Sequence, residues 1–199
     1  MIRPGIKSGY RVIGAGALAA VLVLAGLVLS LPAQETFRAR MLTGKASFDQ
    51  AQINVKITIN GWTTPEEITK FQEAINRGGY GAFETAFTGA KKGLAKFMSP
   101  NGVGLTIHAA LCFPLEKGRR LVLFFNHQPW DTTSTFIQNF AAPYMIMDIK
   151  LDEKGTGDGY FYEFAEIVLR PDKGTIEMTA FNAAPKPFPL VQETTKKKK

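Results

Sequence analysis

Ile53-Asn54-Val55-Lys56-Ile57-Thr58-Ile59-Asn60-Gly61-Trp62-Thr63-Thr64-Pro65-Glu66-Glu67 is the stretch on which the fold turns. Its first half alternates β-branched and polar residues with period two, the pattern of a strand that buries one face. Gly61 ends that strand. Thr63 or Thr64 then supplies an N-cap and Pro65 the first helical position. Glu66 and Glu67 set negative charge against the positive end of the helix dipole. Ile68, Phe71 and Ile75 recur at helical spacing until Gly78-Gly79, which reads as a stop. A second helix is expected through Phe83 and Phe87 toward Leu94, weakened by Gly89 and Gly93.

Everything downstream reads as β. Leu105, Ile107, Leu111 and Phe113 share one face of an expected strand, and Thr106, His108, Ala110 and Cys112 the other. Arg119 to Phe125 forms a strand with a continuous apolar centre. Met145, Met147, Ile149 and Leu151 alternate with Tyr144, Ile146, Asp148 and Lys150. Asp152 to Gly159 is rich in residues that tolerate positive φ and serves as a hairpin connection to a strand over 160–169. Pro171-Asp172-Lys173-Gly174 turns the chain into a last strand, 175–181. Short connections favour antiparallel pairing. The expected fold is α+β: a mostly antiparallel, curved or barrel-like sheet with a two-helix hairpin inserted after the first strand.

The N-terminal segment has a different character. Arg3, Lys7 and Arg11 precede an uncharged run from Val12 to Leu31, and Pro32-Ala33 leads into mixed sequence. A basic region, an apolar run and a small residue before a polar stretch make a secretory signal peptide, cleaved after Ala33. The run is also about 20 residues long, enough for a retained helical anchor. Under either reading the basic flank stays in the cytoplasm and the rest crosses the membrane. The chain is therefore expected to be exported, periplasmic or extracellular, or anchored in the inner membrane and facing the periplasm. Residues 1–33 are the signal peptide or anchor, 34–45 a lead-in, 46–192 a single α+β domain and 193–199 a disordered basic tail.

Of 24 basic residues, three precede residue 33 and four form Lys196 to Lys199. The remaining 17 balance 17 acidic residues, all between Glu35 and Glu193. The body is formally neutral, which argues against a nucleic-acid partner, since such domains carry their own basic patch. The lone Cys112 excludes an intramolecular disulfide.

Four segments give the chain a resemblance: Trp62-Thr63-Thr64-Pro65-Glu66-Glu67 with Gly78-Gly79, Asp148 to Gly159, Ala165-Glu166-Ile167, and Gly174-Thr175-Ile176-Glu177. Together they resemble a family of predicted secreted bacterial proteins with no assigned function, over about Ala46 to Val191. The resemblance implies export and one domain, and it supplies no catalytic residue.

No constellation in the sequence dictates a reaction. His108 and Cys112 are four apart on an expected strand, so their backbones would lie roughly 13 Å apart, too far for one zinc ion. Asp152 to Gly159 lacks the oxygen ligands a calcium loop needs at alternate positions. Ser47, Ser99 and Ser134 are the serines beyond residue 33, and none sits in a nucleophile elbow. Glu163 and Glu166 are three apart and point to opposite faces of a strand unless a bulge intervenes. No catalytic residue, metal site or cofactor is assigned.

The candidate contact site is the long connection from Asn126 to Pro143. It sets His127, Trp130, Asp131, Phe136 and Phe140 among small polar residues, a mixture suited to recognition or to capping the sheet. Asp131 and His127 are its one acid–base pair. The expected partner is a small apolar ligand or a protein. Membrane contact is expected only if the N-terminal helix is retained. The sequence thus reads as an exported, non-catalytic binding or interaction module. The alternatives are a membrane-anchored accessory subunit and an enzyme using the 126–143 loop. Met145, Met147, Ile149 and Phe161 would line either an apolar pocket or a solid core.

Overall fold

The computed structural model describes residues 34–43, 51–98, 102–126, 144–181 and 183–195. Among these residues ten strands, one α-helical element and a short 3-10 helix (Pro171–Lys173, between β8 and β9) follow in the order β1 (Glu35–Thr43), β2 (Ala51–Ile59), α1 (Pro65–Gly89), β3 (Gly93–Met98), β4 (Gly104–Ile107), β5 (Ala109–Leu115), β6 (Gly118–Asn126), β7 (Tyr144–Leu151), β8 (Thr156–Arg170), β9 (Thr175–Phe181) and β10 (Lys186–Glu193). All pairings are antiparallel, in the order β4-β3-β2-β1-β10-β8-β7-β6-β5, with β9 added alongside β8.

The α+β class and the antiparallel sheet are as expected. Strands β4 and β5 stand at opposite ends of the order, yet only His108 separates them in sequence. The sheet therefore curls until its two ends meet at that residue, where the His108 N–H donates to the Phe124 carbonyl at 2.9 Å. No ladder joins β4 to β5, so the barrel stays open. The strand expected to run unbroken past His108 is in fact this corner. Leu105 and Ile107 face the inside of the curl and Leu111 the outside, because one residue out of register reverses every later side chain.

Two apolar clusters result. Inside the curl lie Phe37, Ile57, Phe97, Leu123, Met147 and Phe188, among others. On the outer face Leu111, Val122, Phe124 and Ile146 pack under the helix residues Ile68, Phe71, Phe83 and Phe87. Strand β6 is buried on both faces, which explains its continuous apolar run.

The helical part differs from the expected pair of separate helices. Pro65–Gly89 is one element, capped at Thr64 by a reciprocal pair of bonds with Glu67 of 2.9 and 3.3 Å. The interruption expected at the glycines is present as a kink within the element: Gly78 (φ −144°, ψ 16°) and Gly79 (φ 67°, ψ −157°) both leave helical geometry. The bend is sharp. Phe71 lies 5.7 Å from Phe87, ring centre to ring centre, whereas 16 residues of straight helix would separate them by roughly 24 Å. Folding back lets both halves cover the same patch of sheet.

Two more expectations change. The supposed lead-in contains β1, which pairs with β2 over its whole length and with β10. The helix therefore follows the second strand, not the first. Leu94, expected on a helix, belongs to β3, where Gly93 approaches so closely that a Cβ would meet the Thr58 carbonyl. Among the described residues no helix is long and apolar enough to cross a membrane.

Candidate ligand pocket

The inside of the curl is blocked at one end and hollow at the other. At the blocked end Arg119 lies over the Phe37 ring, 5.6 Å from its centre. Its Nη2 bridges Glu35 Oε2 at 2.7 Å and Glu193 Oε2 at 3.0 Å. The Trp62 indole N–H donates to the other Glu35 oxygen at 3.2 Å. This plug joins β1, β6 and β10.

At the hollow end a cavity of about 200 Å³ is lined by Met41, Ile53, Phe97, Val103, Leu105, Met145, Phe161 and Glu163. Met41, Ile53, Phe97, Leu105 and Met145 each sit within two residues of a strand end, and those ends flank the connections 44–50, 99–103 and 127–143. Phe97 and Phe161, from β3 and β8 on opposite sides of the curl, approach to 5.9 Å and form the floor. Of the four residues expected to line a pocket, Met145 and Phe161 do so, whereas Met147 and Ile149 are fully buried in the solid core below.

The opening has a sequence cause. Pro187 and Pro189 cannot donate to a ladder, so prolines belong at strand edges and bulges. The β10–β8 register shifts between Phe188 and Val191, and β10 pairs with β1 only from Leu190 onward. Toward the cavity β1 and β10 therefore part.

Among the described residues Glu163 is the one charged residue on the wall, and it forms a 2.6 Å ion pair with Lys186. A bulge follows Glu163. Phe164 adopts φ 58°, the one positive φ outside glycine among the described residues, and the β7–β8 register shifts beside it. A bulky side chain in the left-handed region stores about 1–3 kcal/mol. Glu163 faces the cavity by ordinary alternation with Phe161, and the extra residue after it turns Ala165 out under the helix. Glu163 and Glu166 line different cavities, so they do not face each other as an acid–base pair.

A second concavity, of about 430 Å³, lies between β9 and the outer sheet face. Its floor is the Arg120–Asp148 pair, bidentate at 2.8 Å, so those groups already satisfy one another. The acidic turn is likewise self-satisfied: Asp152 Oδ1 accepts from the backbone N–H groups of Lys154 and Thr156 at 2.8 and 2.9 Å.

His127, Trp130, Asp131, Phe136 and Phe140 lie outside the described residues. Of the pocket wall, sequence reasoning missed Met41, Phe97 and the Glu163–Lys186 pair. The alternation Phe37, Ala39, Met41 against Arg38 and Arg40 was the available signal for the first of these.

His108 stands apart from any cluster. It is 7 % exposed, packs 5.4 Å from the Phe87 ring, and its Nδ1 lies 2.9 Å from the Ala90 carbonyl oxygen. Burial holds its pKa below the ordinary value of 6.5. The unfolded chain then takes up a proton near pH 6.5 that the folded chain refuses. Stability from this residue is present above pH 6.5 and is lost as the pH falls toward the folded pKa. Thermal melts at pH 7 and at about pH 5.5 should show a drop that is smaller in His108→Gln. Equal drops in the two proteins would exclude His108 as the source.

No family model matches the chain, and no curated protein or solved structure matches it.

Proposed function

We propose that this chain is an exported bacterial binding module, without catalytic machinery, that takes a small apolar ligand into the open end of its curled sheet. The cavity walled by Met41, Phe97, Leu105, Met145 and Phe161 is the observation that carries this reading. Methionines give an adaptable wall and the two phenylalanines a rigid floor. At about 200 Å³ the space falls below the roughly 300–1,000 Å³ of drug-sized sites. It suits a short alkyl chain or a single ring, with any polar head directed to the Glu163–Lys186 rim. Export rests on the basic and apolar N-terminal segment, cleaved after Ala33 or retained as an anchor.

The test is competition for the cavity. Octanol should displace an environment-sensitive fluorescent probe from the full chain. Ile53→Trp, which fills the mouth from a half-buried position, should weaken octanol binding about tenfold or more. Its melting temperature should stay within a few degrees of the parent. Equal octanol affinity in parent and variant, or no binding to either, would overturn the reading.

A further inference from the structure

The charge of the body is balanced in number but not in space. On the outward face of β1–β4, Arg38 stands directly opposite Lys56, and Lys56 directly opposite Lys96. Neighbouring strands are about 4.8 Å apart, so three like charges form one row across three strands. Arg40 extends the patch along β1, opposite Asn54. All four side chains are exposed, and none forms an ion pair with another described residue. The only acidic residue in these four strands is Glu35, which is engaged in the plug. Like charges directly opposite in a sheet are destabilising, so this row works against the fold that carries it.

Apolar side chains flank the row on the same face. Leu94, Met98 and Leu190 are 44 %, 57 % and 40 % exposed. Met98 lies opposite Asn54, and Leu190 opposite Arg40. No aromatic residue occupies an outward position on these strands, so the face offers no stacking platform for unpaired bases. Cations interleaved with exposed Leu and Met match a surface of lipid phosphates above acyl chains. Thr195, which precedes Lys196 in sequence, lies beside this face: the Thr36 N–H donates to Thr195 Oγ1 at 3.0 Å.

We propose that the outward face of β1–β4 docks on an anionic phospholipid bilayer, with Arg38, Arg40, Lys56 and Lys96 on the phosphates and Leu94, Met98 and Leu190 at the acyl boundary. The surface is separate from the cavity, and the proposal does not depend on the cavity's occupant.

The full chain should be sedimented with phosphatidylcholine vesicles, with and without about a third phosphatidylglycerol. Binding to neutral vesicles measures the N-terminal apolar run, and the gain on anionic vesicles measures charge. Arg38→Gln/Arg40→Gln/Lys56→Gln/Lys96→Gln should lose about tenfold or more of that gain. Replacing Lys196 to Lys199 by glutamine should leave most of it. An unchanged melting temperature certifies the fold of the quadruple variant, and Lys56→Gln alone should give a smaller loss in the same direction. Raising salt from about 0.1 to about 0.5 M should abolish the gain in the parent.

A gain lost only with the terminal lysines would overturn the proposal. So would the absence of any gain, whether or not the chain then binds DNA or an acidic protein in a salt-dependent manner.

Discussion

Replacing Phe87 by alanine should remove about 3–5 kcal/mol of stability, the largest effect expected from one side chain here. Phe87 is fully buried, and its ring centre lies 5.4 Å from Phe83 and 5.6 Å from Tyr144, in addition to the Phe71 and His108 contacts. It joins both halves of the bent helix, the corner and β7 at one point. The surroundings are aromatic rings fixed by backbone on four sides, so the hole left by truncation cannot collapse. A domain of this size has about 5–15 kcal/mol in total, and the midpoint of thermal unfolding should fall by about 10 °C or more. Urea denaturation of Phe87→Ala and of Leu94→Ala gives the comparison, since the second removes a half-exposed side chain and should change stability by less than about 0.5 kcal/mol. Similar values for the two variants would mean that α1 is not packed on the sheet as described.

Arg119→Ala should cost about 2–3 kcal/mol. A fully buried pair broken on one side loses about 3–5 kcal/mol, and here roughly a quarter of each side chain remains in contact with solvent. The loss arises less from attraction forgone than from Glu35 and Glu193 left facing each other without the cation between them. That origin is testable by a mutant cycle. Adding Glu35→Gln and Glu193→Gln to Arg119→Ala should restore at least half of the loss, because the repulsion disappears. If the triple variant is no more stable than Arg119→Ala, the guanidinium stabilises through its packing on Phe37 and not through charge.

The sheet was legible only in part: β6, buried on both faces, was read from its apolar run, while β1, which has one wet face, was passed over as a lead-in. Alternation marked β2 and β7, and the cap of α1 could be placed to within a residue at Thr64. Apart from β1, the failures share a cause: local signals that tertiary context reinterprets. Gly78-Gly79 has the chemistry of a helix stop, but a bend and a stop require the same backbone freedom, and only the sheet patch beneath Phe71 and Phe87 selects the bend. β10 escaped because Lys186-Pro187-Phe188-Pro189 lacks two ladder donors, which normally argues against a strand. The corner at His108 left no trace in periodicity, since a single residue suffices to reverse faces. The cavity could be anticipated as a property of a curled sheet, yet its walls could not. They come from the ends of five strands and one bulge, brought together only by closure of the curl.

Strands β1 and β10 are neighbours in the sheet, and Thr36 in β1 and Thr195 just after β10 are hydrogen-bonded across 159 residues of sequence. Such long-range pairing makes folding slow, because the loop must close before its contacts contribute. It also sets an order of events during synthesis. Until residues 186–193 have emerged, β1–β4 and β5–β9 are two half-sheets with unpaired edges and no strand to join them. A nascent chain of this topology stays open until its last strand arrives, and a chaperone that holds edges apart would act on it for almost its whole synthesis.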